Sequence, residues 1–158
     1  MLMHTLLPLL VCLGAGLMGG VFFAFSTFIM KALAERPANQ GIAAMQRINV
    51  TVLNPLFLGV FIGTAILAGI CFFTGFFPWG TVRSVWLLMA GLSYVVGCFG
   101  VTMAFNVPRN ERLARLDAES PEAAAYWPVY LREWLVWNHV RTAASLVSAA
   151  SAAAALIW

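Results

Sequence analysis

The stretch Leu135–Trp158, LVWNHVRTAASLVSAASAAAALIW, decides the fold of this chain. It meets the roughly 20 mostly apolar residues that a helix needs to cross a bilayer, and beyond Arg141 it carries no charged side chain. Yet it takes Asn138, His139 and Arg141 with it at its start, just after Trp134 and Trp137. An arginine about 9 Å into a span, at 1.5 Å rise per residue, is costly in lipid and should face a bundle interior or a water-filled cavity.

Working outward, three more segments of the same kind precede it, at about 5–30, 50–74 and 84–105. The chain has 158 residues, 62% of them hydrophobic and 9% charged. Soluble domains carry roughly a quarter charged residues, and one this small could not hide so much apolar surface, so the bilayer must be its solvent. The N-terminal stretch has no basic leader region and runs on too long for a signal peptide, which predicts a retained first span. With no internal repeat and no linker, residues 1–158 read as a single four-span transmembrane domain. The predicted fold is all-α: an integral membrane four-helix bundle of up-down topology.

The net charge of +3 matters less than its placement. Lys31, Arg36 and Arg47 fall in the first loop, and Arg109, Arg112, Arg115 and Arg132 in the third, against Arg83 alone in the second. That bias puts loops one and three in the cytoplasm and both termini outside. Trp79, Trp86, Trp127, Trp134 and Trp158 lie near span ends, as an interfacial aromatic belt requires. In loop three, Ser120 as N-cap and Pro121 at the first helical position predict a short interfacial helix, which Pro128 should break or kink. A helix is also expected over loop one, running into span two. Gly16 and Gly20 in the first span, and Ala144, Ser148 and Ala152 in the last, have the spacing that lets helix backbones approach, within the bundle or in a homo-oligomer.

Polar residues intrude into all four spans at one end. They are Ser26 and Thr27, then Asn49, Thr51 and Asn54, then Thr102 and Asn106, and lastly Asn138, His139, Arg141 and Thr142. In an up-down bundle these form one tier at the cytoplasmic end. Helical spacing places Arg47, Thr51, Asn54 and Phe61 on one face of span two. It places Trp134, Trp137, Asn138, Arg141, Ser145 and Ser148 on one stripe of span four, with His139 well round the helix. Intramembrane asparagines often only staple helices together. Convergence from four segments points instead to a ligand pocket.

Some chemistries drop out. The two histidines, His4 and His139, lie at opposite ends of the bundle, roughly 36 Å apart by helical rise, so they cannot share a metal. Asp and Glu are absent from the predicted spans, which removes carboxylate-bridged metal sites. Cys12, Cys71 and Cys98 show no paired spacing and read as buried small hydrophobes. No bound cofactor and no nucleic-acid partner is expected.

The segments GVFFAFSTFIMKAL (20–33), GIAAMQRINVTVLNPLF (41–57), GVTMAFNVPRNERLA (100–114) and YLREWLVWNHVRTAAS (130–145) resemble the anthrone oxygenase-like family of small four-span membrane proteins. The resemblance implies a multi-pass protein of a bacterial cytoplasmic membrane; fungal members of the family oxidise anthrones to anthraquinones with molecular oxygen, without metal or flavin. An anthrone is flat, apolar and weakly acidic opposite its carbonyl, so its anion can react with oxygen directly. A protein serving that reaction needs an aromatic slot, a proton acceptor and donors for the developing oxyanion. Trp134 and Trp137 offer stacking surface; Asn54, Asn106 and Asn138 offer donors, with Ser26, Thr51 and Thr102 beside them. Arg141 offers the charge, and His139 is the one conventional base at that end. The reading is a cofactor-independent oxygenase acting on a lipophilic phenolic or quinone-like substrate. The alternative is a non-catalytic membrane protein that binds such a ligand or serves as a structural subunit, with a transporter third.

Overall fold

The computed structural model describes residues 2–77 and 79–158, and every regular element among them is helical. The side chain of His4 lies outside the described residues. Helix α1 (Leu2–Ala24) passes through a widened π-helical turn, Phe25–Ile29, into α2 (Met30–Ala34). Next come α3 (Ala38–Thr51) and α4 (Pro55–Thr74). Helix α5 (Val82–Leu92) continues through π-helical segments Ser93–Gly100 and Thr102–Asn106 into α6 (Val107–Ala114), and α7 (Pro121–Ile157) ends the chain.

Four helical stretches among the described residues can cross a membrane: Thr5–Ala34, Pro55–Thr74, Val82–Ala114 and Pro121–Ile157. They pack as a ring in which α1 touches α4 and α7, and α5 touches α4 and α7. Each span thus lies beside the spans next to it in the chain. The interior is close-packed and small, with Val11, Ala15, Met18, Ala68, Ala90 and Ala152 almost fully buried. Leu13, Leu17, Ile66, Phe73 and Val96 are exposed on the outside, an apolar surface that only lipid can solvate without loss. Close approach has a local cause at Gly91, where an added Cβ would come within 2.5 Å of the Ala68 carbonyl oxygen. Gly16 and Gly20, in contrast, would meet nothing within 4 Å, so their small size serves no contact inside the bundle.

The helices differ in length, and that shapes the functional end. With 20 residues, α4 spans about 30 Å, the thickness of the hydrocarbon core. Helix α7 has 37 residues and runs about 55 Å, so nearly half of it stands beyond the bilayer. There it meets α2, α3 and α6 around a second core, in which Ile42, Met45, Leu113, Trp127, Tyr130 and Trp134 are buried. We call this the head. Gly41 sets its tightest contact, since a Cβ there would lie 2.8 Å from the Leu33 carbonyl oxygen.

The head corrects four expectations. Ser120 does cap a helix, accepting from the Ala123 N–H, but that helix is no short interfacial piece; it is the start of α7. Pro128 does not break it. The proline deprives the Ala124 carbonyl of its usual partner, and both residues are exposed, so water can take over that bond. Trp127 and Trp134 are 4% exposed each and belong to the head core, whereas Trp79 and Trp158 remain exposed as belt residues should.

The fourth correction concerns span two, which begins at Pro55 rather than near Val50. Asn54 is extended, at φ −102° and ψ 157°, and its side chain accepts from the Phe57 N–H. A residue before proline is pushed out of the helical region, while proline suits the first helical position. The chain therefore leaves α3 at Thr51 and restarts with an Asn-Pro cap. Asn49 and Thr51 belong to α3, and the face expected for Arg47, Thr51, Asn54 and Phe61 on one helix does not form.

Candidate functional site

A cavity of about 570 Å³ lies where the membrane bundle meets the head, a size within the usual range of small-molecule sites. Its walls are mostly apolar, with the aromatic rings of Phe22, Phe25, Phe57, Phe61, Phe99 and Trp134 among them. Five of these come from the first three spans, and α7 supplies the tryptophan. Polar atoms enter at few points: Gln46 and Asn49 from α3, Thr102 and Asn110 from the third span, Glu111 from α6, and Arg141 from α7. The opening follows from helix geometry. Helix α4 lies against α5 and the Ser93–Gly100 segment and parts from the chain below it. Ile62 and Met103, both exposed, flank the gap on the bundle side, with exposed Val50 and Leu53 on the head side.

Arg141 is the centre of the polar wall. It is 5% exposed, and no carboxylate among the described residues pairs with it. Its Nη2 donates to Asn138 Oδ1 at 2.7 Å, and its Nη1 to Thr102 Oγ1 at 3.4 Å. The guanidinium lies 4.2 Å from the centre of the Phe22 ring and 5.0 Å from that of Trp134. Such contacts are worth about 0.5–2 kcal/mol each, well short of the several kcal/mol that burying an ion costs. Its Nε–H makes no hydrogen bond among the described residues, and neither does Asn49 Nδ2, although the Tyr130 hydroxyl lies near it. Two unused donors thus sit on residues lining one apolar cavity.

The helical phase of α7 sorts its side chains. Arg141 and Trp134 face the cavity. Asn138, on the edge towards α1, donates to the Phe22 carbonyl at 2.8 Å and to Ser26 Oγ at 2.7 Å. Trp137, on the opposite edge, stacks on Phe105 with ring centres 3.6 Å apart. His139 points outward and is exposed, with Nδ1 3.0 Å from Ser26 Oγ. Thr142 donates to the Asn138 carbonyl and touches Ser26 Oγ at 3.0 Å. Both Ser26 and Thr102 belong to π-helical turns, which recur at functional sites because they re-aim side chains.

The structure therefore brings Arg141, Asn138, Ser26, Thr102 and Trp134 into one connected group, and leaves other expected residues elsewhere. Asn54 caps α4 and donates to the Thr51 carbonyl; neither residue lines the cavity. Asn106 is fully buried and donates to the Trp134 carbonyl at 3.2 Å, which fixes the third span against α7. Trp137 and His139 are off the cavity wall. An end of span three near Phe105 leaves out Asn110 and Glu111, whereas the helix runs on to Ala114. Asn110 Oδ1 accepts from both the Tyr130 hydroxyl and Trp134 Nε1, each at 2.8 Å. The three cysteines are free, and no three His, Cys, Asp or Glu side chains gather among the described residues as a metal site would need.

Comparison with protein families finds a match to anthrone oxygenase over residues 54–151. No curated protein and no solved structure matches the chain. The matched region runs from the Asn54 cap to Ser151 and includes Thr102, Asn110, Trp134, Asn138 and Arg141. Covering more than half of the sequence, it shows that this multi-pass membrane chain belongs to the anthrone oxygenase family.

Proposed function

We propose that the cavity holds a flat, lipophilic phenolic or quinone-like molecule as its anion, and that the protein promotes its oxidation by molecular oxygen without a bound cofactor. One observation carries this reading: a buried arginine with no carboxylate partner and an unused Nε–H, set in an aromatic cavity. Oxyanion stabilisation in a dry site is where such a donor is worth most. For an anthrone-type methylene the steps balance simply. The carbon loses a proton, and the resulting anion passes electrons to O₂ as a C–O bond forms, giving a hydroperoxide. That hydroperoxide sheds water to leave the quinone carbonyl, so CH₂ and O₂ become C=O and H₂O. Arg141 favours the first anion, Asn138 and Thr102 aim Arg141, and the phenylalanine rings exclude water. The apolar gap at Ile62 and Met103 suits a substrate that arrives from the lipid.

Anthrone itself is the probe. Purified protein in detergent is expected to speed oxygen uptake and anthraquinone absorbance above the rate in protein-free micelles. Binding without faster oxidation would favour the second reading, a ligand-binding membrane protein. That reading also has an observation behind it, because Ser26, Asn138 and Thr142 already satisfy one another as a structural staple would.

We further propose that the whole chain forms one unit in the cytoplasmic membrane with the head inside. Seven basic residues in loops one and three against Arg83 in loop two support that orientation. Reporters fused after Trp158 and inserted within 118–125 are expected to report outside and inside respectively. A cytoplasmic signal at Trp158 would reverse the orientation and put the cavity at the outer face.

A further inference from the structure

We propose that Glu111 is the base that takes the substrate's proton, a role that rests on the oxygenase reading above. Two residues with ionising side chains line the cavity, Arg141 and Glu111, and only the carboxylate can accept a proton. Other acceptors are placed or occupied elsewhere. His139 faces outward and contacts Ser26. Glu133 is held by Arg109 at 3.0 Å, Glu119 accepts from Asn39, and Asp117 accepts from the Glu119 N–H. Neither Glu35 nor Glu122 reaches the cavity wall.

Glu111 also sits on a rigid support, as positioned acid–base groups require. On one side of it Asn110 is held by Tyr130 and Trp134. On the other, Gln46 Nε2 donates to the Leu113 and Leu116 carbonyls, both at 2.9 Å. Between these anchors the Glu111 carboxylate makes no hydrogen bond or ion pair among the described residues and is exposed. A carboxylate at the water-facing edge of an apolar cavity can take a proton from inside and pass it to solvent. In the step, the methylene C–H bond breaks, its proton goes to a Glu111 oxygen, and the electron pair stays on the ring as the anion that Arg141 faces. The base that takes the proton and the charge that stabilises the resulting anion thus come from different helices, α6 and α7.

The test separates proton removal from oxidation. Anthrone bound to the protein in D₂O under argon exchanges its methylene hydrogens as the base acts, and mass spectrometry reads the exchange without oxygen. Wild-type protein is expected to accelerate exchange over empty micelles. Glu111→Gln, isosteric and on the surface, is expected to slow it by about 100-fold or more while anthrone affinity by tryptophan quenching stays within about twofold. Glu111→Asp should recover part of the rate. Wild-type exchange in Glu111→Gln, or no acceleration by a wild type that binds anthrone, overturns the role of Glu111 and leaves the binding site standing. A wild type that does not bind anthrone overturns the substrate reading, and the base falls with it.

Discussion

Arg141→Ala is expected to weaken binding of an acidic hydroxyanthrone by about 10- to 100-fold, the equivalent of about one hydrogen bond to a charged group, while the chain still inserts and purifies. Arg141→Lys should recover only part of that affinity. Lysine keeps the charge but loses the planar fork, and this fork reaches Asn138 on one side and Thr102 on the other. An arginine that merely stretched to the membrane surface would behave differently: lysine would replace it fully, and alanine would change little beyond stability. At 5% exposure, Arg141 has no such route out. Tryptophan quenching by the hydroxyanthrone gives the affinities, since Trp134 lines the cavity. Unchanged binding in Arg141→Ala would remove the guanidinium from the site.

The spans and the polar end were legible in the sequence because both rest on coarse chemistry. Apolar length identifies a crossing helix, and a charged residue inside one is too costly in lipid to be incidental. That cost singles out Arg141 in the sequence, and the structure buries it at 5% exposure. The head was not legible, because its helices are amphipathic rather than apolar, and apolar length says nothing about where a crossing helix stops. Helix α7 begins at Pro121, yet only its later part reads as a span. Asn110 and Glu111 were lost with the same misplaced boundary. The Asn54–Pro55 break was readable, since a capping residue before a proline is a start signal; treating Asn54 as a pocket donor hid it. The outward turn of His139 was correctly indicated by its helical phase. The edge positions of Trp137 and Asn138 needed coordinates, because a stripe some 100° wide spans three neighbours at once: α1, the cavity and the third span.

Asn138→Asp separates charge from packing more sharply than any deletion. The side chains are nearly isosteric, so Oδ1 can keep its place 2.7 Å from Arg141 Nη2. The contact then becomes a charge-assisted pair, and the guanidinium that faced the cavity as a lone cation is neutralised. The variant gives up the Nδ2 donor, which now serves the Phe22 carbonyl and Ser26 Oγ. Ser26 can rotate its hydroxyl to donate to the new carboxylate, whereas the Phe22 carbonyl loses a partner at a cost of about 1 kcal/mol. Folding should therefore survive. Affinity for the hydroxyanthrone anion is expected to fall at least as far as in Arg141→Ala, because a fixed negative charge now stands behind the arginine. Anthraquinone, neutral and of the same ring size, should bind within about threefold of wild type. A staple that only held α7 to α1 would predict no such selectivity: both ligands would lose affinity together as the cavity loosened. Equal losses for the anion and the quinone would mean that Asn138 and Arg141 support the wall without setting its charge, and the oxyanion role would have to be given up.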